Sequence, residues 1–443
     1  MRFRPSYRSI WGISFPIIIA GVSETIVDIT DTIFLAHYGI TELAAIGMAD
    51  AIYGLSLFLI MGLVDGIQII IGRRAGQEQR HEIGRTFNQG LYLLLLASLL
   101  SLLLILVAVP AITDTLLASH EVHNAVNRYL HIAAFALFFQ STNLALSAFY
   151  VGISRTRVLI GGAIILAITN ISLDYLLIYG NFGLPEMGIE GAAIATLSSE
   201  IATFLFLFAE VLRKRYDLSY HLFRLSKWNM ALAQHLVSIS MPVSLETLVS
   251  MAKWFLLVVI IEQLGEETLA GANIILSCYA LFIIPVESFS ETICSMISNL
   301  IGQHHEKRLR LLIRRTINLS YSVVVPMLAL TLLFPDQVLS LFTPDKEIIA
   351  ASHYGLIVMV CITLIAVPAE TYYSAVAGTG DTRIILAIQC IVTLVTLTYA
   401  WYAALIAELP LQYILLAEML GATTCLVLSW LWFRSGRWNR LNI

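Results

Sequence analysis

Acidic side chains inside long apolar segments are the residues of this 443-residue sequence that could do chemistry. In the first such segment, Glu24, Asp28 and Asp31 are spaced by four and three residues, which places them on one helical face. An ionised carboxylate at the centre of a bilayer costs at least about 2.5–3.5 kcal/mol. Three close like charges cannot all stay ionised there, so we expect at least one carboxyl to hold and release a proton near neutral pH. The alternative is structural hydrogen bonding between helices.

Further acids lie inside other apolar segments. They are Asp50, Asp65, Asp174, Glu246, Glu262, Glu287, Glu291, Glu370 and Glu418. Such acids face a cavity, find a partner or hold a proton; for Asp50 and Glu262 the alternative is a solvated position at the membrane interface. Lys253 is the one basic residue inside a predicted span. It lies seven residues after Glu246 on roughly the same helical face, which predicts a neutralising Glu246–Lys253 ion pair, either structural or a gate.

The segments that carry these acids are long enough to cross a membrane. The sequence is 58% hydrophobic and 13% charged, whereas a soluble domain carries about 25% charged residues. A membrane helix needs roughly 20 apolar residues. Twelve segments of that kind are present, near 12–36, 45–71, 87–110, 128–152, 158–180, 188–212, 236–263, 269–298, 316–335, 352–377, 384–407 and 411–433. The predicted fold is an all-α integral membrane protein, and its first segment is too long for a signal peptide.

The basic residues predict the orientation of these spans. With twelve spans, 23 of the 26 Lys and Arg residues fall on the side that holds both termini. Arg128 and Lys346 fall on the opposite side. Because basic loops stay in the cytoplasm, we expect a multi-pass protein of the bacterial inner (plasma) membrane with both termini cytoplasmic. This topology explains the basic loops without a nucleic-acid partner.

An internal repeat relates the two halves of the sequence at one constant offset. Pro16 falls on Pro242, and the same offset places Tyr53 on Tyr279, Asp65 on Glu291 and Gly152 on Gly378. Six spans bring the chain back to the same side, so the repeat is parallel, related by an axis along the membrane normal. We therefore predict two six-helix bundles, at 1–212 and 236–443, joined by a cytoplasmic linker at 213–235.

Several motifs resemble the multidrug and toxic compound extrusion (MATE) family. They are DTIFLAHYG from Asp31, LAAIGMA from Leu43, N-x-x-x-D from Asn170 to Asp174 with LLIYG after it, GAAIAT from Gly191, and GTGDT from Gly378. The resemblance spans nearly the whole chain, and the order and spacing of the motifs carry it. It is nearest to the branch related to the DNA-damage-inducible proteins.

Members of that branch have a polar cluster that binds the coupling proton or sodium ion, and the resemblance implies the same cluster in this chain. Its members here would be Asp31, Asn143, Asn170, Asp174 and Thr196, to which the shared helical face adds Glu24 and Asp28. Asp31, Asn170, Asp174 and Thr196 supply carboxylate, amide and hydroxyl oxygens, which suit Na⁺ or a proton relay.

The second half departs from the family pattern. The acids of the family's other branch would fall on Ser250 and near Ala366, whereas this chain has Glu246 and Glu370 one turn away from those positions. A displaced second or substrate site would use acids and aromatic side chains, the latter through cation–π contact. The candidates are Glu246, Lys253, Glu287, Glu291, Glu370, Tyr53, Tyr279 and Tyr372; packing is the alternative for each tyrosine.

The expected function is a secondary antiporter that exports a small lipophilic organic cation in exchange for H⁺ or Na⁺. A flippase for a lipid-linked oligosaccharide or peptidoglycan precursor is the alternative within transport. An enzyme is disfavoured because no HExxH, GxSxG or paired-histidine pattern lies in a helix. The five cysteines form no CxxC pair. We expect a monomer in contact with membrane lipids and no cofactor besides the coupling ion.

Overall fold

The computed structural model describes residues 5–116, 119–224, 227–340 and 346–440, and within these ranges it contains helices and no strands. The first half contains α1 (Tyr7–Tyr38), α2 (Ile40–Gly76), α3 (Arg80–Leu116), α4 (His120–Ala133), α5 (Ala136–Gly152), α6 (Arg157–Leu177), α7 (Ile189–Arg213) and the short α8 (Tyr216–Ser219). The second half contains α9 (Met230–Glu262), α10 (Glu266–Gly302), α11 (Leu309–Leu333), α12 (Pro335–Leu339), α13 (Lys346–Thr379), α14 (Thr382–Trp401), α15 (Leu411–Ile414) and α16 (Leu416–Ser435).

The described helices confirm the predicted membrane fold. Eleven of them are long and apolar enough to cross a bilayer, and α4 and α5 form a twelfth span that is bent by 50° at a short break. Helix is the structure expected here, because lipid offers no hydrogen bonds and each span must satisfy its backbone groups internally. The predicted twelve spans therefore correspond to eleven unbroken helices and one bent pair.

The internal repeat recurs in the helix bounds and in the packing. The offset that separates Pro16 of α1 from Pro242 of α9 also carries both ends of α2 onto both ends of α10. A Cβ on Gly152 would lie 2.6 Å from Ile71, and a Cβ on Gly378 would lie 2.9 Å from Ile297. These two close contacts are equivalent under the same offset, so the same glycine-dependent helix packing is built twice.

The chain forms two compact units whose boundaries lie inside helices. One unit is Phe15–Ser244, and the other contains the described residues from Leu245 onward together with those before Phe15. Accordingly, in the second unit the Ser14 hydroxyl donates to Thr292 Oγ1 at 2.8 Å. In the first unit, the Ser244 hydroxyl donates to the Leu59 carbonyl oxygen at 3.4 Å. The boundaries thus lie near Pro16 and Pro242, and not in the loop at 213–235.

The polar loop after α7 packs onto the first unit. Asn88 Nδ2 of α3 donates to the His221 carbonyl oxygen at 2.9 Å, and Gln89 Nε2 donates to that of Lys227 at 3.0 Å. Tyr220 packs edge-to-face on the buried Phe149, with ring centroids 5.3 Å apart. Amide side chains of α3 and aromatic contacts therefore hold this loop against the bundle.

Replacing Gly378 by alanine is expected to destabilise the protein by about 1–3 kcal/mol, because the new methyl group would press on the Cys294 carbonyl oxygen and on Ile297. Thermal unfolding of the purified protein in detergent measures the change. Gly47→Ala is the matched control, because a Cβ there meets no atom within 4 Å and alanine favours the helix. Equal stability of the two variants would contradict the close helix packing.

Candidate functional site

The carboxyl groups of Asp31 and Asp174 lie against each other in the first unit, within hydrogen-bonding reach. Asp174 of α6 is fully buried, at 0% exposure, and Asp31 of α1 is half-buried. Among the described residues, neither oxygen of Asp174 meets a hydrogen-bond donor. Two ionised carboxylates cannot hydrogen-bond to each other, so a shared proton or a bound cation is what would stabilise this pair.

Asn170 completes the set of oxygens around this pair. It lies one turn before Asp174 on α6, is buried, and hydrogen-bonds to Asp31 through its side chain. Asn170 Oδ1 and Asp31 Oδ1 are both buried without a donor in the part of the chain that the structure describes. A buried acceptor without a donor costs about 1–3 kcal/mol. The orphaned oxygens therefore fit a proton or a hard monovalent cation, whose ligands are oxygens.

Two hydroxyl groups border the same site. The hydroxyls of Tyr129 and Thr196 are hydrogen-bonded to each other, and Thr196 also donates to the Ala192 carbonyl oxygen at 3.1 Å. Tyr129 is buried and lies close to Asp31 and Asp174. The sequence analysis missed Tyr129. The available signal was a tyrosine near the start of the apolar segment at 128–152, which is equally typical of an interface position.

The predicted acidic face of α1 extends from Asp31 towards Asp28 and Glu24, away from Asp174. Asp28 lies close to both Glu24 and Asp31, and Asp50 of α2 faces Asp28 and Asp31. Glu24, Asp28 and Asp50 have exposed side chains although protein atoms surround much of each group. These three acids therefore border open space, whereas Asp174 is enclosed.

Glu200 is a buried acid that the sequence analysis missed. It lies on α7, one turn after Thr196, and is 8% exposed. Asn143 Nδ2 donates to Glu200 Oε2 at 2.7 Å and to the Glu200 carbonyl oxygen at 3.0 Å. The structure thus places the predicted cluster member Asn143 beside Glu200. A glutamate in the middle of the apolar segment at 188–212 was the signal that could have found it.

In the second unit, the predicted Glu246–Lys253 ion pair is wrong. Lys253 Nζ lies 2.8 Å from Glu418 Oε2, and the two side chains are only 8% and 10% exposed. The ammonium also lies 4.9 Å from the ring centroid of Trp254. Glu246 and Lys253 share a helix, whereas the side chain of Lys253 reaches α16, which is distant along the chain. Sequence spacing within one helix could not identify that partner.

The other candidates of the second unit separate into two groups. Glu370 lies close to Glu287 and to Lys253, and Tyr279 lies close to Glu287, Glu370 and Glu418. Glu246 is hydrogen-bonded to Tyr373. Tyr372 instead packs edge-to-face on Phe433, with centroids 6.3 Å apart, and lies close to Arg310. Glu291 follows Glu287 by one turn on α10. The structure therefore gathers Glu246, Glu287, Glu370 and Glu418 around Tyr279 and Tyr373 and leaves Tyr372 outside.

The remaining predicted tyrosine belongs to the first unit. The Tyr53 hydroxyl donates to Gln140 Oε1 at 2.9 Å, and Tyr53 lies close to Glu200. Glu24 is also close to Glu200. Tyr53, Glu24 and Asn143 therefore surround Glu200 and form a second polar group beside the Asp31–Asp174 pair.

Comparison with known proteins accounts for the internal repeat. The MatE family model matches residues 16–176 and again residues 242–402, so the two matches are related by the offset of the internal repeat. A probable multidrug resistance protein NorM from Thermotoga maritima is 23% identical, over 97% of this chain and 92% of that protein. The multidrug resistance protein NorM from Vibrio cholerae is also 23% identical, over 79% of this chain and 76% of that protein.

Solved structures share the fold. A crystal structure of a MATE protein in complex with MaL6 has a TM-score of 0.91 at 20% identity, over 98% of this chain and 96% of that chain. A MOP superfamily transporter from Pyrococcus furiosus has a TM-score of 0.90 at 21% identity, with the same coverage. Since the family model covers most of the sequence in two repeats, this chain is a multi-pass membrane transporter of the MatE family and not an enzyme.

Proposed function

We propose that this protein is an antiporter that exports organic cations or drugs in exchange for H⁺ or Na⁺. The observation that carries the proposal is the contact between Asp31 and Asp174, where Asp31 Oδ1 and both oxygens of Asp174 find no donor within the described residues. Such a pair is stabilised when one proton or cation joins it and destabilised by like-charge repulsion when it is bare. Its occupancy can therefore bias a conformational equilibrium, as coupling requires.

Each residue of the site has a distinct part in this proposal. Asp31 and Asp174 hold the coupling ion. Asn170 orients Asp31 through its side-chain hydrogen bond. The hydroxyls of Tyr129 and Thr196 offer further oxygens beside the pair. Export would follow by alternating access, in which the site opens to one side of the membrane at a time, and the gradient of the coupling ion would drive the cycle.

Relatives support the class of substrate. The Thermotoga maritima and Vibrio cholerae proteins are both named multidrug resistance proteins. Most of the acids inside the membrane spans of the first unit are exposed, and a cavity bordered by carboxylates attracts cations. The distribution of basic residues supports placement in the bacterial inner membrane with both termini in the cytoplasm.

The flippase alternative has less support. A pyrophosphate-linked lipid would need available basic side chains in the cavity. Lys253, the basic residue inside a predicted span, is already neutralised by Glu418 at 2.8 Å. A buried, paired ammonium offers little attraction to a phosphate, so the acidic first unit favours a cationic substrate.

Transport into vesicles that contain the purified protein tests the exchange and identifies the coupling ion. We expect a proton gradient or a sodium gradient, imposed separately, to drive uptake of a fluorescent organic cation against its own gradient. The effective ion should be the one whose gradient alone supports accumulation. Uptake that follows only the substrate's own gradient under both conditions would contradict antiport and indicate a passive pathway.

A further inference from the structure

The polar loop after α7 follows one face of α3 from the basic start of that helix towards its apolar segment. A Cβ on Gly84 would overlap the Tyr220 carbonyl oxygen, so the backbone of the loop touches α3 there. Eight residues further along α3, Tyr92 packs on Trp228, with ring centroids 6.4 Å apart. Eight residues of helix rise by about 12 Å. The two ends of the loop therefore lie at different depths along α3, and the amide side chains of α3 hold the loop between them.

Exposed basic side chains surround the end of the loop that lies at the start of α3. Arg80 and Arg155, which come from two different connections, both lie close to Tyr220, and the Arg80 guanidinium is 5.9 Å from the centroid of that ring. Lys214 and Arg215 immediately precede α8, one turn before Tyr220. All four basic side chains are exposed, and none forms an ion pair with another described residue. Their charges are therefore available to an anion.

The other end of the loop is apolar and open. Trp228 is 50% exposed although its ring contacts Tyr92. Lys227 is also exposed, and its carbonyl oxygen is held by Gln89 at 3.0 Å. Tryptophan is enriched where a membrane meets water, and a lysine beside it can keep its stem in the apolar layer while its ammonium reaches the headgroups. A charged end and an aromatic end, separated along α3, match the headgroup and the acyl chains of a phospholipid.

Membrane topology alone does not require this arrangement. Retention of a loop in the cytoplasm depends on how many Lys and Arg residues it carries, whereas here the backbone is fixed on α3 and the charges are concentrated at one end. Residues 213–227 include five basic residues and one acid, so the net charge favours an anionic lipid over a zwitterionic one. Two guanidinium groups beside one tyrosine suit a phosphate, which arginine can bind through two parallel hydrogen bonds.

We propose that Arg80, Arg155, Lys214, Arg215 and Trp228 form a docking surface for an anionic phospholipid of the cytoplasmic leaflet. The phosphate of the headgroup lies at the arginines beside Tyr220, and an acyl chain lies along Trp228. This inference goes beyond the proposed exchange function and uses only the proposed placement of the loop at the cytoplasmic face. Because charge drives the preference for an anionic lipid, added salt weakens that preference.

Quenching of Trp228 by brominated lipids in mixed detergent micelles tests the surface in the purified full-length protein. The chain has seven tryptophans, so each measurement is repeated with Trp228→Phe, and the quenching that disappears is due to Trp228. We expect brominated phosphatidylglycerol to reach half-maximal quenching at about one-fifth of the mole fraction that brominated phosphatidylcholine needs. Equal mole fractions for the two lipids, or no quenching of Trp228 by either, would overturn the proposal.

Two double variants distinguish this surface from general positive charge. Arg80→Gln with Arg155→Gln should bring the two lipids to within about twofold of each other, and both positions are exposed, so the fold is retained. Lys307→Gln with Arg308→Gln is the matched control, because it removes two exposed charges from the second unit on the same predicted side, and it should keep the full preference. A preference lost in both variants, or kept in both, would overturn the site. A preference that equimolar inorganic phosphate abolishes would assign the arginines to a soluble anion and overturn lipid docking.

Discussion

Replacing Asp31 and Asp174 together by asparagine is expected to reduce ion-driven export to the rate of vesicles without protein, a loss of at least about tenfold. Asparagine keeps the size of each side chain and removes the charges that a proton or sodium ion would neutralise. The two carboxyls lie against each other, so the neutral pair can neither take up a proton nor balance the charge of a sodium ion. The measurement is uptake of a fluorescent cation driven by an imposed ion gradient.

The single variants sharpen this prediction. One ion would join both carboxyls. Asp31→Asn and Asp174→Asn should therefore each lose nearly as much ion-driven export as the double variant, and the two losses should not add. Asp114→Asn, an exposed aspartate of α3, is the control and should transport normally. A double variant that still concentrates substrate in response to the gradient would refute the assigned ion site.

Replacing Lys253 by methionine is expected to destabilise the protein by about 3–5 kcal/mol, because Glu418 would remain buried without its counter-charge. Glu418 Oε1 already lacks a donor among the described residues, so the carboxylate has no other partner ready to replace the ammonium. Thermal or denaturant-induced unfolding of the purified protein in detergent measures the loss.

A second substitution distinguishes an ion pair from simple packing. Lys253→Met combined with Glu418→Met removes both charges, and we expect it to recover most of the lost stability, since apolar replacements for a buried pair are often neutral or stabilising. If the double variant is as unstable as Lys253→Met alone, the stability comes from the shape of the lysine side chain and not from its charge.

The two repeats have the same fold but different polar sites. The offset of the internal repeat carries Asp31 onto Leu257 and Asp174 onto Ala400, so the second unit has no copy of the ion-coupling pair. Lys253, Glu418 and Glu370 fall on Val27, Ala192 and Leu144 of the first unit, which carry no charge, whereas Glu291 keeps an acidic equivalent in Asp65. We infer that duplication of the helix packing was retained while each unit acquired its own charges, because the fold needs only the apolar faces and the close-packed glycines.

Whether the contact partner of a residue could be predicted depended on how far along the chain that partner lies. Asp28 lies close to Glu24 and to Asp31 as their spacing on one helix predicts. The contact of Asp31 with Asn170 and Asp174 was expected only through the family resemblance, since their helices are far apart in the sequence. Lys253 shows the opposite case, because its spacing favoured Glu246 and the structure pairs it with Glu418.

The amino-acid sequence by itself determined the membrane class, the helical fold and the internal repeat. The class and the helices follow from the length of the apolar segments and from helix periodicity, which are local properties, and the repeat follows from matching residues at one constant offset. Only the tertiary structure decided that α4 and α5 form a bent span, that Tyr129 borders the aspartate pair, and that Asn143 bonds to Glu200. The physical reason is that a side chain in lipid must find its partner on a neighbouring helix, and spacing along one helix carries no information about which neighbour that is.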